Sequence, residues 1–263
     1  MKSAAAPHRD TIFLEQAGVI GHEAYPGEQY VLRLRAPRCA AAATPGSFIH
    51  LNCGPRLPMR RPLSIMRASA TEGWIEVLYK VVGRGLAELA LRKPGETLSC
   101  LGPIGKGFVA HAERPRALMI GGGVGIPPLV FFAETLALEH RRGWKPLLLM
   151  GSELPFPFRT GTATISVAGI PPGAMACMPQ LEDCGVPNRL ASLAGIPGCH
   201  AGHVTDLARI WLASLAPAQL AEVELFACGP DAMLHAVAAL ARSHGLPCQV
   251  SLEENMACAV GGC

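Results

Sequence analysis

The chain has 263 residues, half of them apolar, and a formal net charge of +3 at pH 7. This length accommodates one large domain or two ordinary ones, and the small charge without a Lys/Arg-rich run argues against a nucleic-acid-binding protein. Residues 1–10 lack the apolar core of a signal peptide, and the apolar stretch Ala117 to Ala133 is short for a bilayer span and broken by glycines and prolines, so we expect a cytoplasmic protein.

Residues 1–110 have the pattern of a small antiparallel β-barrel, because short apolar or alternating segments are separated by Pro/Gly turns. The predicted strands are Gln29–Arg35, Ser47–Asn52, Pro62–Ala68 and Trp74–Val81. A short helix is predicted over Leu86–Leu91, where Pro94-Gly95 ends it.

Residues 111–247 alternate between strands and helices, which favours a parallel, doubly wound α/β sheet. The predicted strands are Arg116–Ile120, Lys145–Met150, Thr162–Val167 and Glu222–Ala227. The predicted helices run from the glycine-rich turn near Gly125 to Arg141, from Val204 to Leu215 and from Ala232 to His244. The Gly- and Pro-rich stretch Ala168–His203 has no assignment, and residues 248–263 form a separate C-terminal segment.

The segment Met59–Ile65 holds an arginine, a proline and a serine between two apolar runs. Pro62 forbids a regular central strand and biases Arg61 toward an extended backbone. The Arg61 guanidinium is suited to a phosphate, and the Ser64 hydroxyl can add a hydrogen bond. From these residues alone, a basic turn with a solvated arginine is the alternative.

A second candidate phosphate cradle follows in Tyr79-Lys80 and Gly83-Arg84-Gly85. Tyr79 offers a ring or hydroxyl, Lys80 a charge, and the glycines offer backbone amides. A strand edge followed by a hairpin turn is the alternative.

Four glycines between a predicted strand and helix can bring backbone amides close to an anion, and Pro127-Pro128 suits a helix start. They are Gly121, Gly122, Gly123 and Gly125. Their spacing differs from the G-x-G-x-x-G of dinucleotide-binding turns, so the dinucleotide signal is weak. Tight strand–helix packing is an equal alternative explanation for the glycines. Cys228-Gly229-Pro230 ends a later parallel strand, where such sheets bind ligands. Glu153, just past the second predicted strand of the sheet, suits a ribose hydroxyl better than a 2′-phosphate. For a bound dinucleotide, this favours NAD over NADP.

Ten cysteines are present, and most stand alone in apolar surroundings, as small buried hydrophobes do. Cys258 and Cys263 match the first half of the plant-type ferredoxin spacing C-x4-C-x2-C…C. A 2Fe–2S cluster needs four thiolates, and this pair supplies two. A flexible tail is therefore the alternative interpretation of the pair. A zinc-binding tail would need further ligands, for which only His244 and Cys248 lie nearby.

Together these segments resemble the ferredoxin-reductase superfamily, and most closely the electron-transfer subunits of NAD-dependent dihydroorotate dehydrogenase. Arg61-Pro62-Leu63-Ser64 resembles the flavin motif R-x-Y/F/L-S/T, and Ser251–Cys258 resembles the S-L-E-E-x-M-A-C lead into the cluster loop. Further segments that match in order are Thr44–Phe48, Tyr79–Gly85, Leu101–Phe108, Gly121–Leu129, Gly202–Asp206 and Cys228–Pro230.

The resemblance implies three cofactor sites. FAD would be held by Arg61, Pro62, Leu63, Ser64, Leu78, Tyr79, Lys80, Gly85 and Leu86, where Leu86 departs from the family's threonine. NAD would lie against Gly121, Gly122, Gly123, Gly125, Cys228, Gly229 and Pro230. Cys258 and Cys263 would be the first two metal ligands of a 2Fe–2S cluster, and since the other two are absent from this sequence, the iron–sulfur loop is expected to be truncated.

The implied function is that of a flavoprotein oxidoreductase in electron transport and pyrimidine (UMP) biosynthesis. A catalytic FMN subunit, in a heterotetramer, would oxidise dihydroorotate, and electrons would pass through the 2Fe–2S cluster and FAD to NAD+. No catalytic acid or base is expected in this chain. Alternatives are the flavin subunit of a sulfide dehydrogenase or an NADH–ferredoxin transhydrogenase, and a non-catalytic assembly subunit.

Overall fold

The computed structural model describes residues 11–54, 57, 59–139 and 143–252. They form two compact units, the barrel unit (11–24 and 29–107) and the sheet unit (25–28 and 108–252). Across these described ranges, no helix has the length and apolar character needed to cross a bilayer.

The barrel unit is built on a closed barrel whose strands run in the order β1-β2-β5-β4-β3-β6, which confirms the predicted barrel. Its strands are β1 (Phe13–Tyr25), β2 (Gln29–Arg35), β3 (Phe48–Leu51), β4 (Arg61–Ser69), β5 (Trp74–Lys80) and β6 (Thr97–Ile104). Two helices accompany them, α1 (Pro37–Ala42) and α2 (Gly83–Ala90). Alternation builds the core: Leu32 lies opposite Val77, and both side chains are fully buried.

Strands β4 and β5 diverge next to the flavin motif. Their ladder runs from the Ser69–Trp74 pair to the Ile65–Val77 pair, whereas Arg61–Ser64 pairs with β3. Pro62 therefore lies where β4 has one strand neighbour, so its missing N–H removes no bond to β5. The expectation that this proline excludes a regular central strand agrees with the structure.

The sheet unit is a six-stranded parallel sheet in the order β12-β11-β8-β7-β13-β14. Its strands are β7 (Arg116–Gly122), β8 (Leu147–Gly151), β11 (Asn188–Ser192), β12 (His200–Ala201), β13 (Val223–Cys228) and β14 (Cys248–Ser251), and a separate antiparallel pair is formed by β9 (Gly161–Thr162) and β10 (Ala176–Cys177). The helices are a 3-10 turn (Gly123–Gly125), α3 (Ile126–Leu138), α4 (Pro179–Asp183), α5 (Val204–Ala213), α6 (Pro217–Leu220) and α7 (Asp231–His244).

Both faces of this sheet are covered, as predicted for a doubly wound fold. Leu225 belongs to the core that contains Trp211 of α5 and Val237 of α7. The next residue, Phe226, points to the opposite face and packs edge-to-face on Phe132 of α3, with ring centroids 4.8 Å apart.

The predicted strand Thr162–Val167 is wrong beyond its first residue. The Glu182 carboxylate binds the backbone N–H of Ile165 at 3.0 Å and the Thr164 hydroxyl at 2.7 Å. The backbone N–H groups of Thr164 and Ile165 bond to this side chain and not to a sheet strand, which the β-branched composition of the segment does not reveal.

Other differences concern short elements. Helix α2 begins at Gly83, ahead of the predicted Leu86. Strand β11 lies in the stretch without assignment, and neither β1 nor β6 was predicted. Strand β14 pairs in parallel with β13, so the sheet continues four residues past the boundary predicted at residue 247.

Candidate functional site

The barrel unit brings Arg61 against the first turn of α2. A Cβ atom added to Gly85 would lie 2.5 Å from Arg61 Nε and 2.9 Å from Cζ, which is closer than real contacts allow. Only glycine therefore lets the guanidinium lie flat against this turn. Two predicted site residues, from segments far apart in sequence, are thus in direct contact.

The two neighbouring arginines have different surroundings. Arg60 donates from Nη1 to the Ser99 carbonyl at 2.7 Å and from Nη2 to the Ser99 hydroxyl at 2.9 Å, which ties β4 to β6. Among the described residues, Arg61 donates only to carbonyls of its own segment, those of Met59 and Arg60, at 3.1 and 3.2 Å. The structure therefore assigns Arg60 to the scaffold and leaves Arg61 as the arginine that can turn to a ligand.

The start of α2 has the character of an anion site. Its N-cap residue, Val82, makes no side-chain capping bond, and no acidic residue lies in the first turn. The first backbone N–H groups of a helix have no intrahelical partner and carry the positive end of the helix dipole. With the Arg61 guanidinium beside them, these donors suit a phosphate or pyrophosphate.

Strands β4 and β5 diverge just ahead of the same helix. Beyond Val77, the residues Leu78 to Lys80 pair only with β2. Lys80 is exposed at the end of β5, and its role near a phosphate stays a prediction. On one face of β4, Pro62 is exposed and Ser64 is half-buried. On the other face, the Leu63 side chain is 6% exposed and pairs across the strands with the fully buried Ile49.

The Tyr79 side chain lies elsewhere than predicted. It shares the core face of β5 with Val77, is 1% exposed, and its hydroxyl lies 2.8 Å from His22 Nε2. Burial, with Tyr30 and Cys53 nearby, raises the pKa of the Tyr79 hydroxyl well above its usual value. The ring and hydroxyl that Tyr79 was expected to offer to a phosphate therefore lie in the barrel core, bonded to His22. The places of Tyr79 and Leu86 along a bound flavin stay predictions.

His22 was not identified from the sequence. In sequence it is 57 residues from Tyr79 and 70 residues from Arg92. Its Nδ1 atom lies 2.8 Å from the Arg92 carbonyl oxygen. No spacing rule links residues so far apart, so only the barrel's strand order reveals the contact.

His50 is also a residue that the sequence pattern missed. It lies directly opposite Pro62, is 1% exposed, and its Nε2 has no hydrogen-bond partner among the described residues. Burial, together with the nearby Arg60 charge, lowers the pKa of His50, so the neutral imidazole is favoured.

In the sheet unit, the glycine-rich turn and Cys228-Gly229-Pro230 meet at one point. The chain places β8 on one side of β7 and β13 on the other, so the strand order reverses between β7 and β13. Dinucleotides bind outside the carboxyl ends of the strands at such a switch point. Here those ends are Gly121-Gly122 on β7 and Cys228 on β13. Cys228 is the direct register partner of Gly121.

Three of the four turn glycines lie close against neighbouring atoms, and at Gly125 those atoms belong to the backbone. A Cβ on Gly125 would lie 2.4 Å from the Cys228 carbonyl carbon and the Gly229 nitrogen. On Gly122 it would lie 2.7 Å from Met233 Sδ, and on Gly121 3.3 Å from Ile126. Close packing against backbone atoms therefore accounts for Gly125, and the part that these glycines play toward a dinucleotide stays a prediction.

Gly123 differs from the other three. Its φ of +53° favours glycine, and nothing lies within 4 Å of its Cβ position. The two prolines that follow Ile126 carry no N–H, and the Ile126 N–H bonds to the Gly123 carbonyl. The donors available to an anion are therefore those of the turn from Gly123 to Gly125, not those of α3 itself. Glu153 is exposed just past β8.

The predicted cluster ligands, Cys258 and Cys263, lie outside the described residues. Within the ranges that the structure does describe, no group of three or more His, Cys, Asp or Glu side chains could hold a metal ion.

Known proteins resemble this chain over most of its length. No protein-family model matches it. The dihydroorotate dehydrogenase B (NAD(+)) electron transfer subunit of Bacillus caldolyticus is 33% identical over 241 residues, 89% of this chain and 80% of the relative. The Geobacillus thermodenitrificans subunit of the same name is 32% identical over 253 residues, 95% of this chain and 86% of the relative.

A solved structure supports the fold. The NADH-dependent reduced ferredoxin-NADP oxidoreductase has a TM-score of 0.72 and 24% identity, over 95% of this chain and 80% of that one. The ferredoxin-reductase fold expected from the motifs is thereby confirmed. With relatives above 30% identity along nearly the whole sequence, the chain belongs to the family of electron transfer subunits of dihydroorotate dehydrogenase B (NAD(+)).

Proposed function

We propose that this chain is the electron-transfer subunit of an NAD-dependent dihydroorotate dehydrogenase and works in pyrimidine biosynthesis. It would deliver to NAD+ the electrons that an FMN-containing catalytic subunit removes from dihydroorotate, in a heterotetramer. The observation that carries the proposal is the 33% identity to a subunit of that name over 89% of the chain.

The residues of the barrel unit fit FAD. The Arg61 guanidinium, which lies against Gly85, and the uncapped start of α2 offer charge and N–H donors of the kind a pyrophosphate requires. The backbone of Leu78–Lys80 and the exposed edge at Pro62 and Ser64 would hold the remainder. FAD, when bound, exchanges single electrons with iron–sulfur centres and electron pairs with nicotinamide; the protein supplies position and electrostatics.

The residues of the sheet unit fit NAD at the switch point between β7 and β13. Gly123 to Gly125 would provide backbone donors to the pyrophosphate, and Cys228-Gly229 forms the adjacent strand end. The exposed Glu153 carboxylate would accept a bond from a ribose hydroxyl and repel a 2′-phosphate, which supports NAD as the preferred dinucleotide.

Cys258 and Cys263 would supply two of the four thiolates of a 2Fe–2S cluster. The remaining two have no counterpart in these 263 residues. Iron and acid-labile sulfide measured in the purified protein would test whether a cluster is assembled.

Purification provides the direct test of the flavin site. We expect a yellow protein that releases FAD on denaturation, or that takes up one FAD per chain on reconstitution. A protein that stays colourless after incubation with FAD would overturn the proposal.

Co-expression distinguishes the proposed partner from other oxidoreductases. With an FMN-containing dihydroorotate dehydrogenase subunit, dihydroorotate should reduce NAD+, and the R61A variant should abolish this activity while the catalytic subunit still reduces an artificial dye. Equal NAD+ reduction without this chain would contradict the assignment.

A further inference from the structure

We propose that His22 is a positioning residue of the flavin site. Its imidazole ties the end of β5 to the end of α2 and thereby sets where the first turn of α2 lies beside Arg61. The inference rests on the proposed function, because it concerns how the chain holds FAD.

The two hydrogen bonds of His22 define its protonation pattern. Nδ1 lies 2.8 Å from the Arg92 carbonyl oxygen, and Nε2 lies 2.8 Å from the Tyr79 hydroxyl. A carbonyl oxygen only accepts, so Nδ1 carries the proton and donates. In a neutral imidazole, Nε2 then accepts from the Tyr79 hydroxyl, which keeps its proton because it is buried.

These partners flank the segment that carries the proposed anion site. Tyr79 is next to the last residue of β5, and α2 begins at Gly83. Arg92 follows the other end of α2, where its N–H bonds to the Leu89 carbonyl at 3.0 Å and its Nε to the Glu88 carbonyl at 3.2 Å. One imidazole on β1 therefore bonds to a residue before α2 and to a residue after it.

The tie matters because Arg61 meets Gly85 with no spare room. An eight-residue helix is about 12 Å long, so a tilt of about 10° around its far end moves its first turn by about 2 Å. Such a shift would separate the helix N–H groups from the guanidinium. Two donors that must act on one pyrophosphate would then no longer converge.

The neighbouring aromatic ring offers a matched control. Tyr30 stacks on Tyr79 with ring centroids 5.3 Å apart and planes 12° apart, and its ring centroid lies 5.3 Å from that of His22. The tie itself, however, runs from the Tyr79 hydroxyl to His22 and on to Arg92. Removing the Tyr30 hydroxyl leaves both bonds of the tie in place.

The experiment measures FAD and riboflavin affinity of the apoprotein for the wild type and the variants H22F, Y79F, H22F/Y79F, H22Q and Y30F. Riboflavin has no phosphate, so its binding reports the isoalloxazine and ribityl contacts alone. Thermal unfolding of each apoprotein shows that the variant is folded.

We expect H22F and Y79F each to weaken FAD binding by about 3- to 10-fold, the range of one hydrogen bond's net contribution, and to leave riboflavin affinity within about 2-fold. The double variant should be no weaker than the single ones, because both break the same tie. H22Q, which keeps a donor and an acceptor, should recover most of the affinity, and Y30F should bind like the wild type.

Equal weakening of FAD and riboflavin, or no weakening of either, would overturn the role of His22. Additive losses in the double variant would contradict a shared tie. If the wild type itself binds no FAD, the proposed function fails, and this outcome differs from all those that concern His22.

Discussion

The Arg61 guanidinium lies so close to Gly85 that a Cβ atom there would meet its Nε at 2.5 Å. This contact joins the start of β4 to the first turn of α2 and brings the guanidinium beside the proposed anion site of the barrel unit. It also gives the flavin motif a partner that no neighbouring residue in sequence supplies.

The first prediction concerns G85A. The added methyl displaces the end of a flexible arginine side chain, so the folded apoprotein should survive, and alanine is a better helix former than glycine by about 1 kcal/mol. FAD affinity should nevertheless fall about 10-fold or more, because a charged hydrogen-bond donor is moved. Titration of the apoprotein with FAD measures this. G18A is the control, since its Cβ would have 4.0 Å to the nearest atom.

The second prediction separates the two adjacent arginines. R60A removes the bonds to Ser99 and should lower the free energy of unfolding by about 1–3 kcal/mol. Within the described part of the chain, R61A removes hydrogen bonds to the neighbouring Met59 and Arg60 carbonyls and a packing contact with Gly85. It should change stability by less than about 1 kcal/mol, yet it should abolish tight FAD binding. Denaturant unfolding and FAD titration of both variants test this, and a loss of FAD binding greater in R60A than in R61A would contradict it.

The third prediction concerns the switch point of the sheet. G125A would force a Cβ to 2.4 Å from the Cys228 carbonyl carbon, and since backbone atoms cannot give way, we expect a loss of about 3 kcal/mol or more, or insoluble protein. G123A meets no atom and should cost only about 1–2 kcal/mol for its left-handed backbone. Equal stability of the two variants, measured by chemical denaturation, would disprove the packing role.

The fourth prediction is a pH dependence from His50. Its pKa in the folded state lies below the ordinary value of 6.5, chiefly because of burial. Below pH 6.5 the unfolded chain therefore binds more protons at this residue than the folded one, and stability decreases as the pH falls. H50Q cannot titrate, so its stability relative to the wild type should improve from pH 7.5 to pH 5.5. Parallel stability curves over this range would rule out a buried neutral His50.

Local patterns in the sequence were enough to predict the two fold classes. Alternation in Gln29–Arg35 predicts β2, and the apolar run at Arg116 with its glycine-rich turn predicts β7 and α3. Such periods arise from one buried face, and a strand or helix carries that face in its own residues. The strand predicted at Thr162–Val167 failed because the Glu182 side chain, distant in sequence, binds the backbone N–H groups of Thr164 and Ile165.

By itself, the sequence determined which segments are candidates for cofactor binding, because Arg61–Ser64, the glycine-rich turn and Cys228–Pro230 are recognisable by residue type and order. Only the tertiary structure decided what each side chain contacts: Arg60 bonds to Ser99, Arg61 lies against Gly85, and the buried Tyr79 hydroxyl bonds to His22. The reason is physical. Residue type fixes what a group can donate or accept, whereas strand order and packing decide which groups come within hydrogen-bond distance of one another.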